Sequence, residues 1–157
     1  MKLQTRRVEN LKARKINKTV VAGLIQQDGR LLICQRSKKS SFAGKWEFPG
    51  GKIEAGESPR AALRRELSEE LSIAAKVTKL RWRENYLYPG HTPLLLLFYV
   101  IQSYFGTPEN KVFLDIRWVP IQDLLRYDFL SADLPLVAHL HSGEIILPNC
   151  FQRESAD

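Results

Sequence analysis

Glu66, Glu69 and Glu70 are the residues whose type and spacing most directly suggest chemistry. At i, i+3 and i+4 of a helix they share one face. That face lies beside an apolar stripe, Leu63, Leu67 and Leu71, so the acids sit close to the protein body. Like charges at this spacing repel by about 0.2–0.5 kcal/mol per pair. Neither Glu66 nor Glu70 has a basic partner four residues away, and Arg65 precedes Glu69 in the weaker of the two orientations. Three such carboxylates suit a hard divalent cation such as Mg²⁺, which takes oxygen ligands and keeps waters for a phosphate substrate. The other reading of the same pattern is a solvated acidic face.

The acids need a helix and something in front of it. Ser58 is a good N-cap and Pro59 fits the first helical position. Upstream, Trp46–Phe48 reads as a short strand that stops at Pro49-Gly50-Gly51, followed by a loop to Ser58. Thr19–Gln26 and Arg30–Gln35 read as a hairpin around Asp28-Gly29, with a polar loop from Arg36 to Lys45. Lys76–Tyr88, Pro93–Ser103 and Phe113–Val119 read as further strands, and Ile121–Tyr127 and Leu134–His141 as short helices. The run Leu94–Ile101 is far short of a membrane span and reads as a strand buried on both faces. The order of elements predicts an α+β fold, a mixed sheet covered by helices.

The 157 residues predict one domain. A hydrophobic fraction of 44% with 26% charged residues excludes a disordered chain, a collagen-like fibre and a disulfide scaffold. Two cysteines point to a reduced, cytoplasmic compartment. Residues 1–18 carry seven basic side chains against Glu9, so the net +7 lies mostly there and the remainder is near neutral. That stretch lacks the apolar run of a signal peptide and reads as a solvated extension; binding to nucleic acid or an anionic membrane is the alternative. His91, His139 and His141 show no ligand spacing with Cys34 or Cys150, which argues against zinc. Trp46, Trp82 and Trp118 fall on separate strands and read as packing residues.

Within Gly50–Ile73 the chain resembles the Nudix hydrolases, whose signature is G-x5-E-x7-R-E-U-x-E-E-x-G-U. Gly51, Glu57, Arg65, Glu66, Leu67, Glu69, Glu70 and Ile73 stand in that register, and only the late glycine departs, as Ser72. Leu32–Arg36, Trp46–Lys52 and Ala132–Pro135 resemble the MutT-like branch of that family. The resemblance covers about residues 18–141. It implies the Nudix fold, a mixed sheet between helices, with a basic extension at 1–17, the domain at 18–147 and a tail at 148–157. It also implies Mg²⁺, or Mn²⁺ in its place, held by Glu66, Glu70 and the backbone of Gly50. Glu69 would be a further ligand or would orient the water. Gly51, Glu57 and Arg65 would be structural, with Arg65 pairing Glu57. The implied reaction is hydrolysis of a nucleoside triphosphate to the monophosphate and pyrophosphate, as in nucleotide-pool sanitising.

Three positions bear on the substrate. Arg36 leaves its strand toward a loop and would meet a phosphate or a base. Phe48 would stack on a base or pack in the core. Asp133 stands at the family's base-reading position, and a cap for the last helix is the alternative. An ionised aspartate only accepts hydrogen bonds, which favours cytidine or guanine amino groups over the 8-oxoguanine edge that an amide reads. Many relatives carry a further acid where this chain has Val112; Glu109 and Asp115 are the nearest substitutes. The rival readings are ADP-ribose, a dinucleoside polyphosphate, an RNA 5′ end engaged through the basic extension, or a catalytically silent nucleotide-binding module. No membrane partner is expected, other nucleic acid is not favoured, and the oligomeric state is monomer or homodimer.

Overall fold

The computed structural model describes residues 18–154. The basic stretch at 1–17 and the last three residues, with the expectations attached to them, lie outside the described residues. Strands β1 (Lys18–Leu24), β2 (Gln26–Gln27), β3 (Arg30–Gln35), β4 (Trp46–Glu47) and β5 (Gly50–Lys52) precede helix α1 (Pro59–Leu71). Strands β6 (Ala74–Tyr86), β7 (Leu94–Phe105) and β8 (Asp115–Pro120) follow, then helix α2 (Leu134–Ser142) and strand β9 (Phe151–Arg153).

The larger sheet runs β5–β1–β7–β6, with β1 parallel to β7 and the outer pairs antiparallel. The long apolar run forms its centre. Leu96, Phe98 and Val100 face α2 through Leu136, Val137 and Leu140, while Leu97, Tyr99 and Ile101 face α1 through Leu63, Leu67 and Leu71. Alternation on a strand buried on both sides builds the two core layers between which the sheet lies. A second sheet joins β3 to β2, β4 and β8, all antiparallel. The expected hairpin is therefore split at buried Ile25, where the chain passes from one sheet to the other and the Ile25 carbonyl still accepts the Leu32 N–H at 3.0 Å.

Three other elements differ from the sequence reading. Ile121–Arg126 is a 3-10 helix, not an α-helix; Pro120 caps it without a side-chain acceptor, and six residues do not support α-helix nucleation. Gly50–Lys52, read as loop, pairs with β1 because two glycines let the backbones approach closely. The expected tail packs on the body: β9 runs parallel to β7 at Ser103–Phe105, and Cys150 is buried. Gln26 Nε2 donates to the Leu147 carbonyl at 3.0 Å, and the Asp28 N–H donates to Asn149 Oδ1 at 3.0 Å.

Helix α1 begins as its sequence dictates, with Ser58 Oγ accepting the Ala61 N–H. It ends on Ser72 at φ 57°, in the left-handed region. A side chain there costs about 1 kcal/mol that glycine avoids. Ser72→Gly should therefore raise the urea midpoint by an amount equivalent to about 1 kcal/mol, with the denaturant slope unchanged.

Candidate active site

Helix α1 lies across β1 and β5 and brings its acids against the Gly50-Gly51 backbone. The approach is close: a β-carbon on Gly51 would stand 2.4 Å from the Glu66 carboxyl carbon. Glu70 is 8% exposed, and its Oε1 is buried without a hydrogen-bond partner among the described residues. Burial, then the Glu66 carboxylate and Glu47 beyond it, push the Glu70 carboxyl far above the usual range, and the Gly50 N–H offsets only part of this. Two carboxylates in contact, one with an orphaned buried oxygen, form an all-oxygen set that a hard divalent cation would satisfy.

Glu69 does not join them. Its side chain is 60% exposed and its carboxylate turns to Arg65 at 3.3 Å. Arg65 organises this edge: its Nε and Nη2 grip both oxygens of Glu57 at 2.9 Å, and its Nη1 reaches Glu66 at 2.9 Å. The guanidinium also donates to the Lys52 carbonyl at 3.1 Å, which ties the loop to the helix. With Glu69 turned away, no three His, Cys, Asp or Glu side chains converge as a preformed metal cage among the described residues. In this arrangement Glu66 and Glu70 meet, with Glu47 close behind, while Glu69 faces Arg65.

Both substitutes for the missing acid are ion-paired to neighbours. Glu109 is held by Lys111 at 2.8 Å and Asp115 by Arg117 at 2.8 Å. Val112 is exposed, although its loop closes over the end of α1 through the Lys111 N–H to the Glu70 carbonyl.

On the other side of Gly50 and Gly51 opens a cavity of about 370 Å³. Its lining has two chemistries. Lys18, Arg36 and Lys52 supply cations, whereas Phe48, Tyr88, Leu96 and Asp133 supply a flat apolar region with one carboxyl. Lys18, counted with the basic extension in the sequence reading, belongs to this wall. Burial, then Lys52 and Arg36, hold its ammonium below the ordinary value, as in a site prepared for an anion. Arg36 donates to Glu47 at 2.8 Å and to the Ser41 carbonyl at 2.7 Å. Phe48 is 3% exposed and packed edge-on to Phe98, as the core alternative expects, and it also lines the cavity.

Asp133 is 3% exposed and makes no side-chain cap on α2, so the helix-cap alternative is set aside. It accepts the Phe48 N–H, and burial and Glu47 raise its carboxyl well above the ordinary range, against the pull of Arg36. Burial favours its neutral form, and a protonated carboxyl offers an O–H beside its acceptor, so the acceptor-only reading applies to the ionised form alone.

Besides Lys18 and Lys52, four residues of this site were not singled out in the sequence. Glu47 alternates with two buried aromatics and so faces Cys34 and Glu70, a signal that was available in the strand period. Phe42, Tyr88 and His91 meet at the cavity mouth from two loops, and nothing local announces that.

A family model described as NUDIX domain matches residues 15–140. The chain is 36% identical over 126 residues to the CTP pyrophosphohydrolase of Escherichia coli strain K12, covering 75% of this chain and 87% of that one. It is 35% identical over 122 residues to an 8-oxo-dGTP diphosphatase of Haemophilus influenzae, covering 77% and 89%. The solution structure of the E. coli ORF135 protein superimposes with a TM-score of 0.73 at 34% identity, over 85% of this chain and 94% of that one.

Proposed function

This chain belongs to the NUDIX family, and on that premise we propose that it hydrolyses nucleoside triphosphates to the monophosphate and pyrophosphate. One juxtaposition carries the reading: a nucleoside-sized cavity ending in Lys18, Arg36 and Lys52 shares its Gly50-Gly51 wall with buried Glu70 and half-buried Glu66. Glu66, Glu70 and the Gly50 carbonyl would hold Mg²⁺, which would neutralise charge developing on the phosphate oxygens. Lys18 and Lys52 bind the phosphate chain, and Arg36 exchanges Ser41 for a phosphate oxygen. Glu69, held outward by Arg65 at 3.3 Å, would turn inward to orient the water that attacks phosphorus and take its proton while the bond to the pyrophosphate oxygen breaks. Arg65 and Glu57 keep the loop on the helix and touch no substrate. The described residues include no helix long and apolar enough to cross a membrane. Pyrophosphate release from CTP, UTP, dTTP, dGTP and 8-oxo-dGTP, with AMP release from ADP-ribose as the contrast, tests the proposal, and release from none of the triphosphates refutes it.

Base choice should depend on pH through Asp133. Protonated, it pairs a donor and an acceptor with the O6 and N7–H of 8-oxoguanine; ionised, it keeps the cytosine amino group but repels O6. Its raised pKa places the neutral form on the low-pH side. The 8-oxo-dGTP to CTP ratio of kcat/KM should fall about tenfold as pH rises through that pKa, the factor that about 1.4 kcal/mol of unmatched buried charge gives. Effects on the metal cancel in the ratio. Asp133→Asn should make it independent of pH; a wild-type ratio that is already flat means the base is read elsewhere.

A further inference from the structure

Phe42 is a residue out of place. Its backbone lies at φ 53° and its ring is 39% exposed. The other non-glycine residues at positive φ have local reasons, Asp28 in the Asp-Gly turn and Ser72 at a helix end. A bulky side chain in the left-handed region is rare and persists only where surrounding contacts hold it.

Those contacts are at the mouth of the cavity. The Phe42 ring stands 4.6 Å from Tyr88 and 5.6 Å from His91. Its partners are anchored: the Tyr88 hydroxyl accepts the Ala132 N–H at 3.0 Å, beside Asp133, and the His91 N–H closes a turn onto the Tyr88 carbonyl at 3.0 Å. Phe42 is tied only through its backbone, its carbonyl accepting the Lys45 N–H at 3.2 Å, and its ring has no polar tether. Its neighbour Ser41 is held by Arg36, through the carbonyl at 2.7 Å and the hydroxyl at 3.3 Å. That guanidinium also lines the cavity, so an anion that draws it away releases the residue next to Phe42.

We propose that Phe42 is a clasp that closes the cavity over the substrate's base. It rests on the nucleotide reading above and adds a binding residue to it. Phe42 and Tyr88 are too close to admit a base, which needs two rings about 7 Å apart to stack on both faces. The Phe42 ring therefore leaves Tyr88 as the nucleotide enters and settles on the outer face of the base, Tyr88 keeping the inner face. Stacking is indifferent to base identity. The clasp thus sets affinity, while the edge facing Asp133 sets selectivity.

The test pairs kinetics with binding of a non-hydrolysable α,β-methylene triphosphate. Phe42→Ala and Phe42→Leu should each raise KM and the analogue's Kd about tenfold, with kcat within about twofold of wild type. Leucine separates the roles, since it still covers the apolar wall but offers no flat face. Phe42→Trp should restore KM, and its emission should shift on binding by more than that of the native Trp46, Trp82 and Trp118. An unchanged KM in Phe42→Leu, or tryptophan emission at 42 indifferent to saturating analogue, overturns the clasp while leaving the hydrolase reading intact. A wild type that binds the analogue but releases no pyrophosphate overturns the hydrolase reading, and the Kd series still decides the clasp.

Discussion

Glu70→Gln should lower pyrophosphate release about a thousandfold at saturating Mg²⁺, equivalent to about 4 kcal/mol of lost stabilisation. The same change should raise the melting temperature of the metal-free protein at pH 8. The argument is the cost of the native carboxylate. Glu70 is buried with an orphaned oxygen against Glu66, so its proton is held more tightly in the folded chain than in the unfolded one. A raised carboxyl pKa contributes stability that is fully present below the unfolded value, near 4.3, and is lost as pH rises toward the folded value. Between those limits the metal-free fold should lose at most about 1.4 kcal/mol per pH unit from this residue. Glutamine carries no such debt, so its stability curve should be flatter with pH. Added Mg²⁺ should reverse the order, stabilising the wild type and leaving the variant unmoved. Near-normal turnover in Glu70→Gln at saturating Mg²⁺ would refute the metal assignment.

Gly50→Ala should be the most damaging single methyl group in the chain. A β-carbon there would stand 1.9 Å from the Val21 carbonyl oxygen and 2.8 Å from the Ala22 Cα, at φ 154°. All of these are backbone atoms, so nothing at the end of a flexible side chain can yield. Strand β5 would have to leave β1, taking with it the wall shared by the cavity and the carboxylates. The loss should exceed about 4 kcal/mol, read as a collapse of the urea midpoint or as insoluble protein. Gly51→Ala makes the informative contrast, because its new methyl group meets the Glu66 carboxylate, which can turn away. That variant should fold and show little hydrolysis. Normal activity in Gly51→Ala would mean that the Glu66–Gly51 contact has no part in the site.

Helix α1 and its acids were legible because everything that makes them is local. Ser58 and Pro59 start the helix, leucines four residues apart orient it, and a spacing of three and four puts the carboxylates on one side. Spacing assigns a face, however, and not a rotamer. Arg65 has four carboxylates within reach and turns Glu69 outward, a competition that no helical wheel contains. The remaining gaps are contacts between distant segments. Tyr88 meets Phe42 across 46 residues of sequence, and β5 and β9 exist only because β1 and β7 offer them edges. Asp133 was located by resemblance, but its burial, which shifts its carboxyl upward, is a tertiary property that the sequence does not state.

The strap that runs from Leu147 to Arg153 also bears on how the chain assembles. It fastens to Gln26 and Asp28, residues 121 positions earlier, and to the end of β7. At a synthesis rate of about 5–20 residues per second, β2 and the turn after it wait roughly ten seconds for those partners to be made. β1 likewise waits for β7, its parallel neighbour, and parallel pairing between distant segments is slow to nucleate. The glycine wall and the acidic helix are thus synthesised well before the strand that closes the sheet over them. During that interval the apolar faces of β1 and α1 lie open, and refolding should be slow compared with that of a helical bundle of the same length.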